Sequence, residues 1–170
     1  MNKHTIIASV AIVVIITPFA YSVLNIHVAE NIQYKWGNEE KFNFFAMSNG
    51  GIVEFCNTVP VWANIKGFHV DVFYDMRNLG VFSINSINMD PSSSTTQHGR
   101  FVSDKFIEAQ HVFMTIDHEF DGGDIRLDPT RMYVLVTINT PILGFIPYTV
   151  SSQHTGFDFD IIMKGDGFEC

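Results

Sequence analysis

Residues 117–128 read Asp-His-Glu-Phe-Asp-Gly-Gly-Asp-Ile-Arg-Leu-Asp, the densest acidic stretch of the chain. The first six fit D-x-E-x-D-G, with a carboxylate at every second position and a glycine where a calcium loop turns sharply. Loops of this kind use alternate positions because six to eight oxygens must converge on one hard cation. Asp117, Glu119, Asp121, Asp124 and Asp128 are therefore the candidate metal ligands, and calcium is the one cofactor the sequence suggests. Two features tell against a helix–loop–helix hand: the twelfth position is Asp128 rather than a bidentate Glu, and the residues before Asp117 alternate like a strand. An acidic turn between strands explains the run without an ion; a surface calcium site outside the hand geometry is the alternative.

Catalytic patterns are hard to find elsewhere. The seven histidines (4, 27, 69, 98, 111, 118 and 154) are scattered, and no G-x-S-x-G elbow, P-loop or G-x-G-x-x-G occurs. The chain is expected not to be an enzyme. The two cysteines, Cys56 and Cys170, have no C-x-x-C spacing for zinc; outside the cytoplasm they can persist as a disulfide, the other reading being two unrelated thiols. The 16 phenylalanines recur at strand spacing, which serves a core first and an apolar ligand groove second.

Positioning these residues falls to two kinds of element. Residues 5–24 carry no charge and at about 1.5 Å per residue span about 30 Å, the thickness of a bilayer's hydrocarbon core. Pro18 should kink that helix. Its length favours a retained signal anchor over a leader cleaved at Ala20-Tyr21-Ser22, which would secrete the remainder. Lys3 before the helix and Glu30 after it place the N-terminus in the cytoplasm and the rest outside.

Beyond the anchor, alternation of period two recurs, as in Phe68, Val70, Val72 and Tyr74 or Val134, Val136 and Ile138. Turn residues punctuate it, notably at residues 48–51, 90–94 and 121–123. The pattern predicts strands near residues 32–36, 42–47, 51–56, 66–75, 80–88, 99–103, 110–119, 131–139, 144–151 and 156–162, with Ser92–Thr96 as one loop. Asp158 and Asp160, alternating with Phe157 and Phe159, read as the wet face of an edge strand. One helical turn is expected at residues 104–110, capped by Ser103. So many short strands in about 140 residues imply an all-β fold, an antiparallel β-sandwich preceded by one N-terminal transmembrane helix. The expected organisation is a cytoplasmic tail over 1–4, an anchor over 5–27, and a juxtamembrane segment with the first strand over 28–41. A sandwich over 42–163 and a tail over 164–170 follow.

Three stretches resemble the group-2 late-embryogenesis-abundant family, also called the water-stress and hypersensitive-response (WHy) domain. They are Val53-Glu54-Phe55-Cys56-Asn57 running on through Ile65–Tyr74 to Leu79-Gly80, then Pro91-Ser92-Ser93-Ser94-Thr95-Thr96, and finally Gly123–Leu127 with Met132–Ile138 and Leu143–Tyr148. The resemblance covers residues 50–156 and departs where Asn57 is followed by Thr58 instead of proline. It implies a fibronectin-type-III or immunoglobulin-like sandwich behind a membrane anchor, with stress-protective or scaffolding roles and no catalytic residues.

The net charge of -8, from 10 basic and 18 acidic residues, excludes nucleic acid as a partner and disfavours anionic lipid headgroups. The bilayer is the expected partner of residues 5–27. The leading expectation is a membrane-anchored, extracytoplasmic binding, protective or accessory protein of the cell envelope, able to hold an apolar ligand. The second is an accessory subunit of a membrane complex, packing on a membrane-protein partner through small helix residues such as Ala8, Ser9 and Ala11. The third is a calcium-dependent adhesin or enzyme using the acidic run.

Overall fold

The computed structural model describes residues 3–170; of the expected tail over 1–4, residues 1 and 2 lie outside the described residues, and Lys3 and His4 open the first helix. A single long helix, α1 (Lys3–Asn31), leads into a domain built mainly of antiparallel strands. Strands β1 (Gln33–Trp36), β2 (Gly51–Asn57), β4 (Gly67–Tyr74), β5 (Arg77–Ile84), β7 (Ser93–Val102), β8 (Met132–Ile142) and β9 (Ile146–Thr155) form one seven-stranded sheet. Its order is β1-β2-β7-β5-β4-β8-β9, and β3 (Ala63–Ile65) pairs with β6 (Ile87–Met89) in a small second sheet.

The expected all-β composition is corrected by three helices inside the domain: α2 (Phe44–Ser48), α3 (Phe106–Phe120) and α4 (Gly156–Lys164). Each replaces an expected strand, over 42–47, 110–119 and 156–162. In α3 the buried residues are Ala109, Phe113 and Ile116, a spacing of four and then three that only a helix brings to one face. The alternation of Val112, Met114 and Ile116 is coincidental, and Met114 is exposed. Ser103 is not the cap either: Lys105 occupies that position, without a side-chain bond. Asn43 caps α2 by accepting from the Ala46 N–H, and Thr155 caps α4 by accepting from the Asp158 N–H. Asp158 and Asp160 therefore sit on a helix, not an edge strand. Ser93–Thr96, expected in a loop, opens β7, where Thr95 and Thr96 face Phe55 and Glu54 of β2.

The two layers of a sandwich are here two halves of one hydrogen-bonded sheet. Strand β7 joins them, pairing with β2 over residues 93–99 and with β5 over residues 100–102. The sheet curls until its edges meet. Tyr34 of β1 packs edge-on against Phe68 of β4 at 5.0 Å, and its hydroxyl finds the Ser152 side chain of β9. Burial, only partly offset by that bond, pushes the Tyr34 hydroxyl up to about 12. Phe68, Val70, Val72, Phe82, Val134 and Val136 point from the sheet into the core, where they meet Phe44, Phe113 and Phe159 of the helices. Helix α4 touches both β1 and β9, closing the seam between the edges.

Cys56 and Cys170 form a disulfide with their Cα atoms 5.7 Å apart. The bridge holds the tail over 164–170 against β1: Glu169 donates its N–H to Gln33 Oε1, and Lys35 lies over the Phe168 ring.

Candidate functional site

The acidic run does not form one ion-binding loop but divides between the end of a helix and the loop after it. Residues 117–120 complete the last turn of α3, Asp121 ends it, and Gly122 continues at φ +90°, the left-handed conformation usual just past a helix. Gly123 then donates its N–H to the His118 carbonyl, and a Cβ there would lie 2.3 Å from the His118 ring. On a helix, residues two apart face different directions, so Glu119 is turned away from Asp117 and Asp121, which stand one turn apart on the same side. Each has its own work. Asp117 accepts from the Phe44 and Phe45 N–H groups at 2.8 Å each and so holds the start of α2. Glu119 accepts through Oε1 from the Arg126 and Leu127 N–H groups and fixes the following loop. Asp128 caps a 3-10 turn (Pro129–Arg131) by accepting from the Thr130 hydroxyl and N–H, and these bonds, followed by Arg131, draw its carboxyl below the usual range. Asp124 is exposed, and Asp121 stands 3.8 Å from Lys164. Among the described residues no three acidic, His or Cys side chains are grouped to hold a metal ion.

The run does contribute to a different cluster. Asp160 of α4 is buried and bonded to Lys164 Nζ at 2.7 Å. Burial raises the Asp160 carboxyl, and Lys164 lessens that cost without cancelling it. Burial works to lower Lys164, but its bond to Asp160 and the charges of Asp160, Asp121 and Asp117 outweigh it and raise the ammonium. Asp117 is pushed up to about 6, first by burial and then by the charges of Asp160 and Asp121, against its two backbone bonds. Beside this cluster an open cleft of about 450 Å³ runs between Trp36, Phe42, Glu39 and Lys164. The Nε1 of Trp36 is buried without a partner.

A second constellation went unread in the sequence: the junction of α1 with the domain. Helix α1 is long and apolar enough to cross a membrane, with Pro18 inside it. Most of its side chains up to Leu24 are exposed, yet Val28, Ala29 and Ile32 are buried in the core. Asn25, 1% exposed, donates to the Asn64 carbonyl and the Thr140 hydroxyl and accepts from the Asn64 N–H. One turn earlier, Ser22 donates to the Pro18 carbonyl and accepts from the Leu143 N–H at 2.7 Å. Positions 22, 25, 29 and 32 form a helical stripe, and the polar Ser and Asn inside an apolar run were its available signal.

No family model matches the chain, and no curated protein matches it. Among solved structures it is similar to a protein from Archaeoglobus fulgidus, with 14% identity over 74% of this chain and 94% of the other at a TM-score of 0.30.

Proposed function

We propose that the chain is a single-pass membrane protein whose disulfide-closed domain stands outside the cytoplasm and acts by binding rather than by catalysis. One observation carries this reading: α1 presents a continuous exposed apolar surface from Ile6 to Leu24, then buries its last turns inside the domain. Such a surface is costly in water and suits lipid, where a helix satisfies its own backbone. The Cys56–Cys170 bridge supports an oxidising compartment for the domain. The binding reading is supported by the use of the shifted side chains, since Asp117, Asp128 and Asp160 are engaged by the chain's own backbone or by its own cations. The cleft beside Lys164 is the place where an external ligand has room. The stress-protective role implied by the WHy resemblance belongs to this same reading.

The test is made on intact cells. The protein should stay in the membrane pellet through alkaline carbonate extraction, and externally added protease should remove the domain. Release by carbonate, or a domain cut only after lysis, would overturn the proposal.

A further inference from the structure

An uncharged surface bearing exposed aromatic side chains surrounds the point where α1 leaves the domain. The β8–β9 hairpin has no formal charge from residue 132 to residue 157, within a chain of net charge -8. Its turn pairs Leu143 at φ +54° with Gly144 at φ +81°. Two successive positive φ angles favour Asn-Gly or Asp-Gly at such a hairpin turn. A leucine here accepts backbone strain, and the next residue, Phe145, is 76% exposed. On the other flank Trp62 is 64% exposed and borders a shallow pocket together with Tyr21 of α1. Residues 55–65, which hold Trp62, are also uncharged; Glu54 and Lys66 bound that segment in sequence, as Arg131 and Asp158 bound the hairpin.

Depth follows from the junction. The first helix side chain hydrogen-bonded to the domain is Ser22, which accepts from the Leu143 N–H. Residues 4–21 below it measure about 27 Å at about 1.5 Å per residue, close to the ~30 Å of a hydrocarbon core. Trp62 and the hairpin tip therefore fall at the level where aromatic side chains line bilayer surfaces. Val23 and Leu24, exposed beyond Ser22, extend the apolar surface to the same height.

We infer that Trp62 and the hairpin tip Leu143–Ile146 insert into the interfacial layer of the bilayer, giving the domain a second attachment beside its helix. The occupant is lipid, because this surface is continuous with the apolar face of α1. The inference rests on the membrane-anchored reading, so the experiment separates the two. The full chain is reconstituted into phosphatidylcholine vesicles carrying brominated acyl chains, and the fluorescence of Trp62→Phe is subtracted from that of the unaltered protein. This leaves the Trp62 signal and cancels that of buried Trp36. In the Trp62→Phe background, Val13→Trp reports on the helix and Phe145→Trp on the tip.

The expected result is a blue-shifted Trp62 signal that loses most of its intensity to chains brominated near the headgroup and resists aqueous acrylamide, with Phe145→Trp behaving alike. Should Val13→Trp be quenched by mid-chain bromine while Trp62 and Phe145→Trp answer only to acrylamide, the collar is wrong and the anchor stands. Loss of all three lipid signals overturns the anchored reading itself. All of these substitutions lie at exposed positions, and circular dichroism identifies any variant that has not folded.

Discussion

Asp117 couples folding to proton uptake. Its carboxyl moves from an ordinary 3.8 to about 6 in the folded chain, so between those values the folded form holds a proton that the unfolded form releases. The stability it contributes is therefore complete below about pH 4 and declines as pH rises towards about 6. Asp160 is shifted in the same direction, whereas Asp128 is lowered and its contribution is lost on acidification. In urea titrations of the detergent-solubilised protein, Asp117→Asn should flatten the loss of stability between pH 4 and pH 7 by about 1–3 kcal/mol. Parallel pH profiles for the two proteins would contradict this. The same residues predict an inert response to calcium. With Asp117, Glu119 and Asp128 already engaged in backbone bonds, millimolar calcium should leave the melting midpoint unmoved; an ion that binds only the folded chain would raise it. Packing supplies a sharper case at Gly51, where a Cβ would lie 2.1 Å from the Trp36 ring. That ring is held between Phe42 and Phe82, so Gly51→Ala should cost about 1–3 kcal/mol, read as a lower urea midpoint.

Among the elements, the lock between α1 and the domain makes the clearest prediction. Asn25→Ala leaves the half-buried Asn64 N–H without its partner, which should cost about 1–3 kcal/mol. Hydrogen exchange should quicken at the Asn64 and Leu143 amides while the centre of β4 stays protected; uniform acceleration would point to general destabilisation. How far such elements were legible varies with their physics. Strands β4 and β8 were readable because one face is buried and the other half-exposed, which prints a period of two onto Phe68–Val72 and Val134–Ile138. Helices α3 and α4 were misread because short windows in each alternate by chance: Phe157 and Phe159 are two apart like neighbours on one strand face, yet on α4 Phe157 is exposed and Phe159 buried. The local cues lay in their ends: Thr155 with Asp158 for α4, and Asp121-Gly122 for the close of α3. The candidate calcium run was in fact that helix end, written in the same residue types. The cluster around Lys164 could not be read at all, since it joins residues of α3 and α4 only after the sheet has curled.

For the molecule as a whole, the Cys56–Cys170 bridge and the built-in helix set the mechanics. A sequence separation of 114 makes the covalent loop long, and on the chain-entropy model its closure is worth about 4–5 kcal/mol. Cys170→Ser should lower the unfolding free energy by a few kcal/mol, and protease should then nick residues 164–169 while β2 remains intact. A chain that melts identically with and without dithiothreitol would contradict this. The helix, for its part, passes into β1 with no linker: Ile32 is already core, and Gln33 already pairs with Cys56. In the anchored reading there is thus no swivel between mast and head. Should a thinner or thicker membrane make the mast lean, the head must lean with it, and the cleft beside Lys164 would sweep a fixed arc over the surface. Bilayer thickness would then be read out as the bearing of that opening.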